Sequence, residues 1–114
     1  PEVEGADKYV LGENLKLVEH ILKGSRIHVD CEGGLVHIAT AMGTKCAVLF
    51  GPTPKFFYSY PQNINISVGT CNGCMGLIEN WPFECIKGMN EPECMYNITP
   101  KLLLDEIASW MING

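Results

Sequence analysis

Ala47-Val48-Leu49-Phe50 is an uninterrupted apolar run, closed by Gly51-Pro52-Thr53-Pro54. Four apolar residues in a row suit a strand covered on both faces, the usual situation in a parallel sheet flanked by helices. The surrounding sequence has the matching rhythm. From Glu13 onward, Leu15, Val18, Ile21 and Leu22 fall on one helical face. Lys23 belongs to the last turn of that helix, and Gly24 is expected to close it in the left-handed conformation. Arg26–Val29 reads as a short strand, Cys31-Glu32-Gly33-Gly34 as a tight turn, and Leu35–Met42 as a second helix stopped by Gly43. Asn65–Val68 is a candidate third strand.

A last helix is expected over residues 99–112. Thr99 suits its N-cap and Pro100 its first turn. Leu103, Leu104, Ile107, Ala108 and Met111 would form its apolar face. Residues 1–12 lack a period and read as an irregular leading segment, and residues 13–114 as one partial domain. Within it, residues 70–96 form a cysteine-rich loop. The alternation predicts an α/β fold with a partial doubly wound, Rossmann-like parallel sheet. Three strands are few for such a sheet, and its first strand would lack a neighbour. The chain also opens at Pro1 without an initiator Met. Both features suggest a processed chain or an excised piece of a longer one. A bare sheet edge and uncovered helix faces would then favour self-association.

Composition narrows the classes. The chain has 114 residues, 46% hydrophobic and 18% charged, with a formal net charge of −5. That is globular rather than disordered. The acidic balance argues against broad nucleic-acid binding, which needs basic surface to displace counterions. No apolar run is long enough for a membrane span, and no basic-then-apolar leader is present.

Asp30-Cys31-Glu32-Gly33-Gly34-Leu35-Val36-His37 is the first place where chemistry is expected. It joins a strand's carboxyl end to a helix start, where ligands of open α/β sheets bind. The first amides of a helix lack intrahelical acceptors and carry partial positive charge. Glycines at positions 33 and 34 would let a phosphate approach those amides. His37, one turn later, would supply a further donor. Glu32 would repel an anion unless it turned to another group, such as a ribose hydroxyl. The alternatives are a turn that merely needs glycine and a hydrogen-bonded core histidine. His20 and His28 read as structural.

Gly51-Pro52-Thr53 lies on the same rim, with Thr53 a hydrogen-bonding candidate, although the sequence would make a turn in any case. The aromatic stretch Lys55–Tyr60 would either cover a base or sugar or pack a long loop.

Six cysteines occur. Cys46, at the head of the apolar run, reads as a buried thiol. Cys71, Cys74, Cys85 and Cys94 comprise one Cys-x2-Cys pair and two singles, a set able to hold zinc tetrahedrally. Disulfides and free buried thiols are the alternatives. Asn65-Ile66-Ser67 and Asn97-Ile98-Thr99 match the glycosylation pattern. Cysteine nevertheless stays below the roughly 8–10% of disulfide scaffolds, so a cytoplasmic chain is the expectation.

The motif Glu32-Gly33-Gly34-Leu35-Val36-His37-Ile38-Ala39, followed by Val48-Leu49-Phe50-Gly51-Pro52-Thr53, resembles the nucleotide-sugar-binding region of glycosyltransferase family 9, which includes the lipopolysaccharide heptosyltransferases. The downstream cysteines, Cys94-Met95 and Ile98-Thr99 resemble many members too. The resemblance runs from Glu13 to Met111. It implies the C-terminal half of a GT-B enzyme, with a nucleotide sugar such as ADP-heptose as donor. Glu32, Gly33, Gly34, His37 and Thr53 would line the donor site. Two positions depart from the pattern: Glu32 replaces the commoner Asp, and Pro54 replaces a frequent Asp. No residue matches the family's catalytic base, which lies in an N-terminal acceptor domain outside this chain. The resemblance thus implies an inverting transferase's donor half, inactive alone and cytoplasmic, at the inner face of a bacterial inner membrane. Two other readings are a zinc-stabilised interaction domain and a disulfide-stapled binding module.

Overall fold

The structure, a computed structural model, describes residues 4–69, 71–79 and 84–113. Three strands, β1 (Ile27–Cys31), β2 (Lys45–Leu49) and β3 (Ile64–Ile66), form an open sheet in the order β1-β2-β3, with both pairings parallel. Among the described residues five helices accompany them: α1 (Leu15–Gly24), α2 (Gly34–Ala41), α3 (Lys55–Tyr58), α4 (Glu93–Tyr96) and α5 (Pro100–Asn113). The chain is therefore α/β with a small parallel sheet. None of the described helices is long and apolar enough to cross a membrane.

The central strand behaves as its apolar run predicts. Cys46, Val48 and Phe50 alternate onto one face and are buried with Leu22 of α1 and with Val36 and Ala39 of α2. Val36, Val48 and Phe50 are among the largest fully buried side chains, each worth about 1.5–3 kcal/mol of transfer free energy. Ala47, on the opposite face, is buried as well. Val29 of β1 pairs in register with Ala47 yet is 44% exposed, so that face is open at the β1 edge.

Buried polar groups stitch the layers. Asn63 accepts from the Cys46 amide at 3.2 Å and donates to Thr40 Oγ1 at 2.9 Å, tying α2 to the start of β2. The Thr44 hydroxyl donates to the Leu22 carbonyl at 2.8 Å, holding the end of α1 against the lead into β2. A buried polar side chain is tolerated when paired in this way.

Several sequence expectations need correction. Gly24 does not close α1 in the left-handed conformation. The helix ends at Ser25, whose N–H donates to the Leu22 carbonyl and whose hydroxyl donates to the Ile21 carbonyl at 2.7 Å. The second helix ends as expected, with Gly43 at φ +82°. Cys31 and Gly34, placed in a turn by the sequence, end β1 and begin α2. The third strand is Ile64–Ile66 rather than Asn65–Val68. Thr99 caps α5, accepting from the Leu102 amide at 3.2 Å. The expected apolar face of α5 is only partly covered. Leu103 and Ile107 are half-buried, whereas Ala108 and Met111 are exposed and Leu104 is 63% exposed.

Candidate functional site

Two strand ends build the rim. The amide of Glu32 donates to the Leu49 carbonyl at 3.3 Å and extends the β1–β2 pairing by one step. The amide of Phe50 donates to the Ile66 carbonyl at 2.8 Å and does the same for β3. The loops that follow β1 and β2 are thereby held side by side. Cys31 and Glu32 from one, and Gly51, Pro52 and Thr53 from the other, line a common cleft of about 230 Å³. The structure thus brings Glu32 and Thr53 to one cleft, across the gap between neighbouring parallel strands.

Gly33 and Gly34 lie at the start of α2, and no side chain caps this helix. Gly33 has φ 173°, an extended backbone open to any residue. Neither glycine adopts the left-handed conformation. A Cβ on Gly34 would meet nothing within 4 Å, and one on Gly33 would meet only the Cys31 carbonyl at 3.9 Å. The turn therefore needs glycine at neither position for its own folding. The two glycines leave open space at the start of α2, but Gly33, Gly34 and His37 do not line the cleft shared by Glu32 and Thr53.

His37 sits one turn further along α2. Its Nε2 is 3.2 Å from Glu32 Oε1, and its Nδ1 is 2.6 Å from the Tyr60 hydroxyl. An ionised carboxylate only accepts, so Nε2 carries the proton and donates to Glu32. In the neutral ring, Nδ1 then accepts from the Tyr60 O–H. The Tyr60 ring meets the imidazole edge-on, with centroids 5.5 Å apart. Glu32 does turn to another group, but within the described structure that group is His37. The Glu32 side chain is only 14% exposed and that of His37 41%. The pairing places a donor against the Glu32 carboxylate, which would otherwise oppose an anion here. Of the other histidines, His20 is exposed, and His28 pairs with Asp30 at 3.1 Å along β1.

Tyr60 is the residue that sequence reasoning missed. It belongs to the aromatic stretch after Thr53, but nothing local distinguishes it from its neighbours. Tyr58 packs against the core, whereas Phe56 and Phe57 are exposed. Asn65, of the first glycosylation triplet, uses its amide nitrogen internally, donating to the Tyr60 carbonyl at 2.9 Å and the Asn63 carbonyl at 3.2 Å.

The cysteines divide by place. All six are free thiols. Cys46 lies in the core, where burial pushes its thiol pKa up. Cys71, Cys74, Cys85 and Cys94 line a single cavity of about 270 Å³. Burial also pushes the Cys94 thiol up, and its neighbours Cys71, Cys74 and Cys85 push it the same way. Among the described residues, no three side chains of His, Cys, Asp or Glu stand in a closed metal-holding arrangement. Thr70 and residues 80–83 of the cysteine-rich loop lie outside the described residues.

No protein-family model matches the chain, and neither the curated proteins nor the solved structures include a match.

Proposed function

We propose that this chain is the nucleotide-sugar-binding portion of an inverting, GT-B type glycosyltransferase similar to the family 9 heptosyltransferases. The observation that carries this reading is the pair Gly33 and Gly34, which the fold itself does not require. Side chains are missing where an incoming group would need to reach the first amides of α2. A diphosphate suits that place, because these donors have no intrahelical acceptor and the helix dipole favours negative charge. Thr53, in the neighbouring cleft that Glu32 also lines, adds a hydroxyl. Glu32, held by His37, presents a carboxylate able to accept from a sugar or ribose hydroxyl.

In the proposed reaction a base on an acceptor domain removes the acceptor's hydroxyl proton. The oxygen attacks the anomeric carbon from the face opposite the diphosphate, which inverts that centre as the sugar–phosphate bond breaks. Charge grows on the leaving diphosphate, and the amides of α2 are set to meet it. The chain's own part is to bind and orient the donor. Acceptor and base come from outside it, so the chain alone is inactive.

Calorimetric titration with ADP, AMP and adenosine tests the reading. ADP is expected to bind most tightly, with inorganic pyrophosphate competing. Equal binding of adenosine and ADP would contradict diphosphate recognition. Turnover of a sugar donor by the isolated chain would contradict its being a donor half-site.

A further inference from the structure

Four of the chain's six cysteines meet in one place, although they come from separate stretches of sequence. Cys71 and Cys74 lie on a segment laid against the loop after β2. There the Gly73 amide donates to the Gly51 carbonyl at 2.9 Å, and the Met75 amide to the Pro52 carbonyl at 2.8 Å. Cys85 comes from a distinct turn further along. Cys94 is buried in α4, close enough to Gly51 that a Cβ there would stand 3.3 Å from its sulfur. All four line the same cavity of about 270 Å³.

From Ser67 to Pro92 the described residues include neither helix nor strand. Irregular stretches of more than about 12–15 residues are uncommon in compact domains without a functional or stabilising reason. Two of the cysteines also open tight turns. The Leu77 amide donates to the Cys74 carbonyl at 3.0 Å, and the Gly88 amide to the Cys85 carbonyl at 2.8 Å.

We propose that Cys71, Cys74, Cys85 and Cys94 bind one zinc ion as a tetrathiolate centre, which clamps the irregular segment onto the Gly51–Pro52 loop. Zinc is the fitting ion because thiolates are soft ligands and four of them satisfy its tetrahedral shell with no position left for chemistry. Four thiolates crowded together repel one another, and a divalent cation removes that repulsion. Each thiol loses its proton on binding, so uptake releases protons to solvent. The four cysteines line the cavity, and among the described residues they do not stand in a closed metal-holding arrangement. Binding therefore draws them inward, and metal affinity becomes stability of the loop. Lys87, whose ammonium lies 3.7 Å from Glu93 Oε1, places a positive charge near the rim of a centre with net negative charge.

Anaerobic titration of the reduced full chain with Co²⁺ tests this proposal. The expected result is the visible absorption of tetrahedral thiolate-bound cobalt, saturating at one ion per chain and bleached by Zn²⁺. C85S and a C71S/C94S variant lose the band, and C31S keeps it. Amide exchange at Gly73 and Met75 is expected to slow on zinc binding. Absence of a tetrahedral band in the wild-type chain would overturn the proposal. So would a band that survives in C71S/C94S, or disulfides among these four cysteines in the purified protein. The proposal is independent of nucleotide binding, which the ADP titration reads separately.

Discussion

The imidazole of His37 stands 2.6 Å from the hydroxyl of Tyr60, a residue 23 positions later in the chain. This bond anchors the ring from one side while Glu32 accepts from the other. Removing it in Tyr60→Phe is expected to cost about 0.5–1.5 kcal/mol of stability, the usual net value of one hydrogen bond. It should also weaken ADP binding, because His37, the partner of Glu32, loses its second anchor. Urea unfolding of Tyr60→Phe, Glu32→Gln and the double variant checks the coupling. Strict additivity would mean that the two bonds act independently.

Gly33 and Gly34 give the sharpest contrast between folding and binding. A Cβ at either meets no close neighbour, and neither backbone is left-handed. Gly34→Ala is therefore expected to leave stability unchanged or raise it by up to about 1 kcal/mol through helix propensity. On the proposed reading the same methyl occupies space a diphosphate would use, so ADP affinity should fall. Thermal melts alongside calorimetry separate the two effects. Destabilisation by Gly34→Ala would return the turn to a purely structural role.

Gly51 is the opposite case. A Cβ there would lie 2.5 Å from Met95 Sδ, 2.8 Å from Met95 Cγ and 3.3 Å from Cys94 Sγ. Gly51→Ala should therefore destabilise by about 1–3 kcal/mol, as overpacking does. Met95→Ala makes room, so the double variant is expected to lose less than the sum of the single changes. Chemical unfolding of the three variants checks this.

Cys46 provides a pH test. Burial raises its pKa above the ordinary value of 9.0. The folded state thus keeps the proton at pH values where the unfolded chain releases it. The stabilising contribution is complete below about pH 9 and is lost as pH climbs toward the folded pKa. Cys46→Ala lowers stability at pH 7 through the cavity it leaves. It should nonetheless show a shallower decline above pH 9 than the wild-type chain. Melting curves collected from pH 7 to 10 read the difference, and identical slopes would contradict it.

What the sequence revealed follows from the range of each interaction. The buried strand was legible in Ala47–Phe50 because a run of apolar residues is a local signal. The α5 start was legible in Thr99-Pro100 because capping is local too. Gly24 misled because Ser25 offered the end of α1 a side-chain bond to the Ile21 carbonyl instead. The four-residue helices α3 and α4 are shorter than any helical period can reveal. Tyr60 stayed hidden because its role depends on a contact with His37 of α2, 23 positions earlier in the chain. The exposed Leu104 and Met111 show the limit of periodicity, which identifies an apolar face but not what covers it.

The central claim is that the two strand-end loops and the start of α2 form a diphosphate site. Titration of the labelled chain with ADP and an ADP-sugar, followed by amide chemical shifts, tests it most directly. The account predicts that Gly33, Gly34, His37 and Thr53 shift together and saturate along one binding curve. No shift at millimolar ligand, or shifts confined to residues away from these two loops and the start of α2, would contradict it.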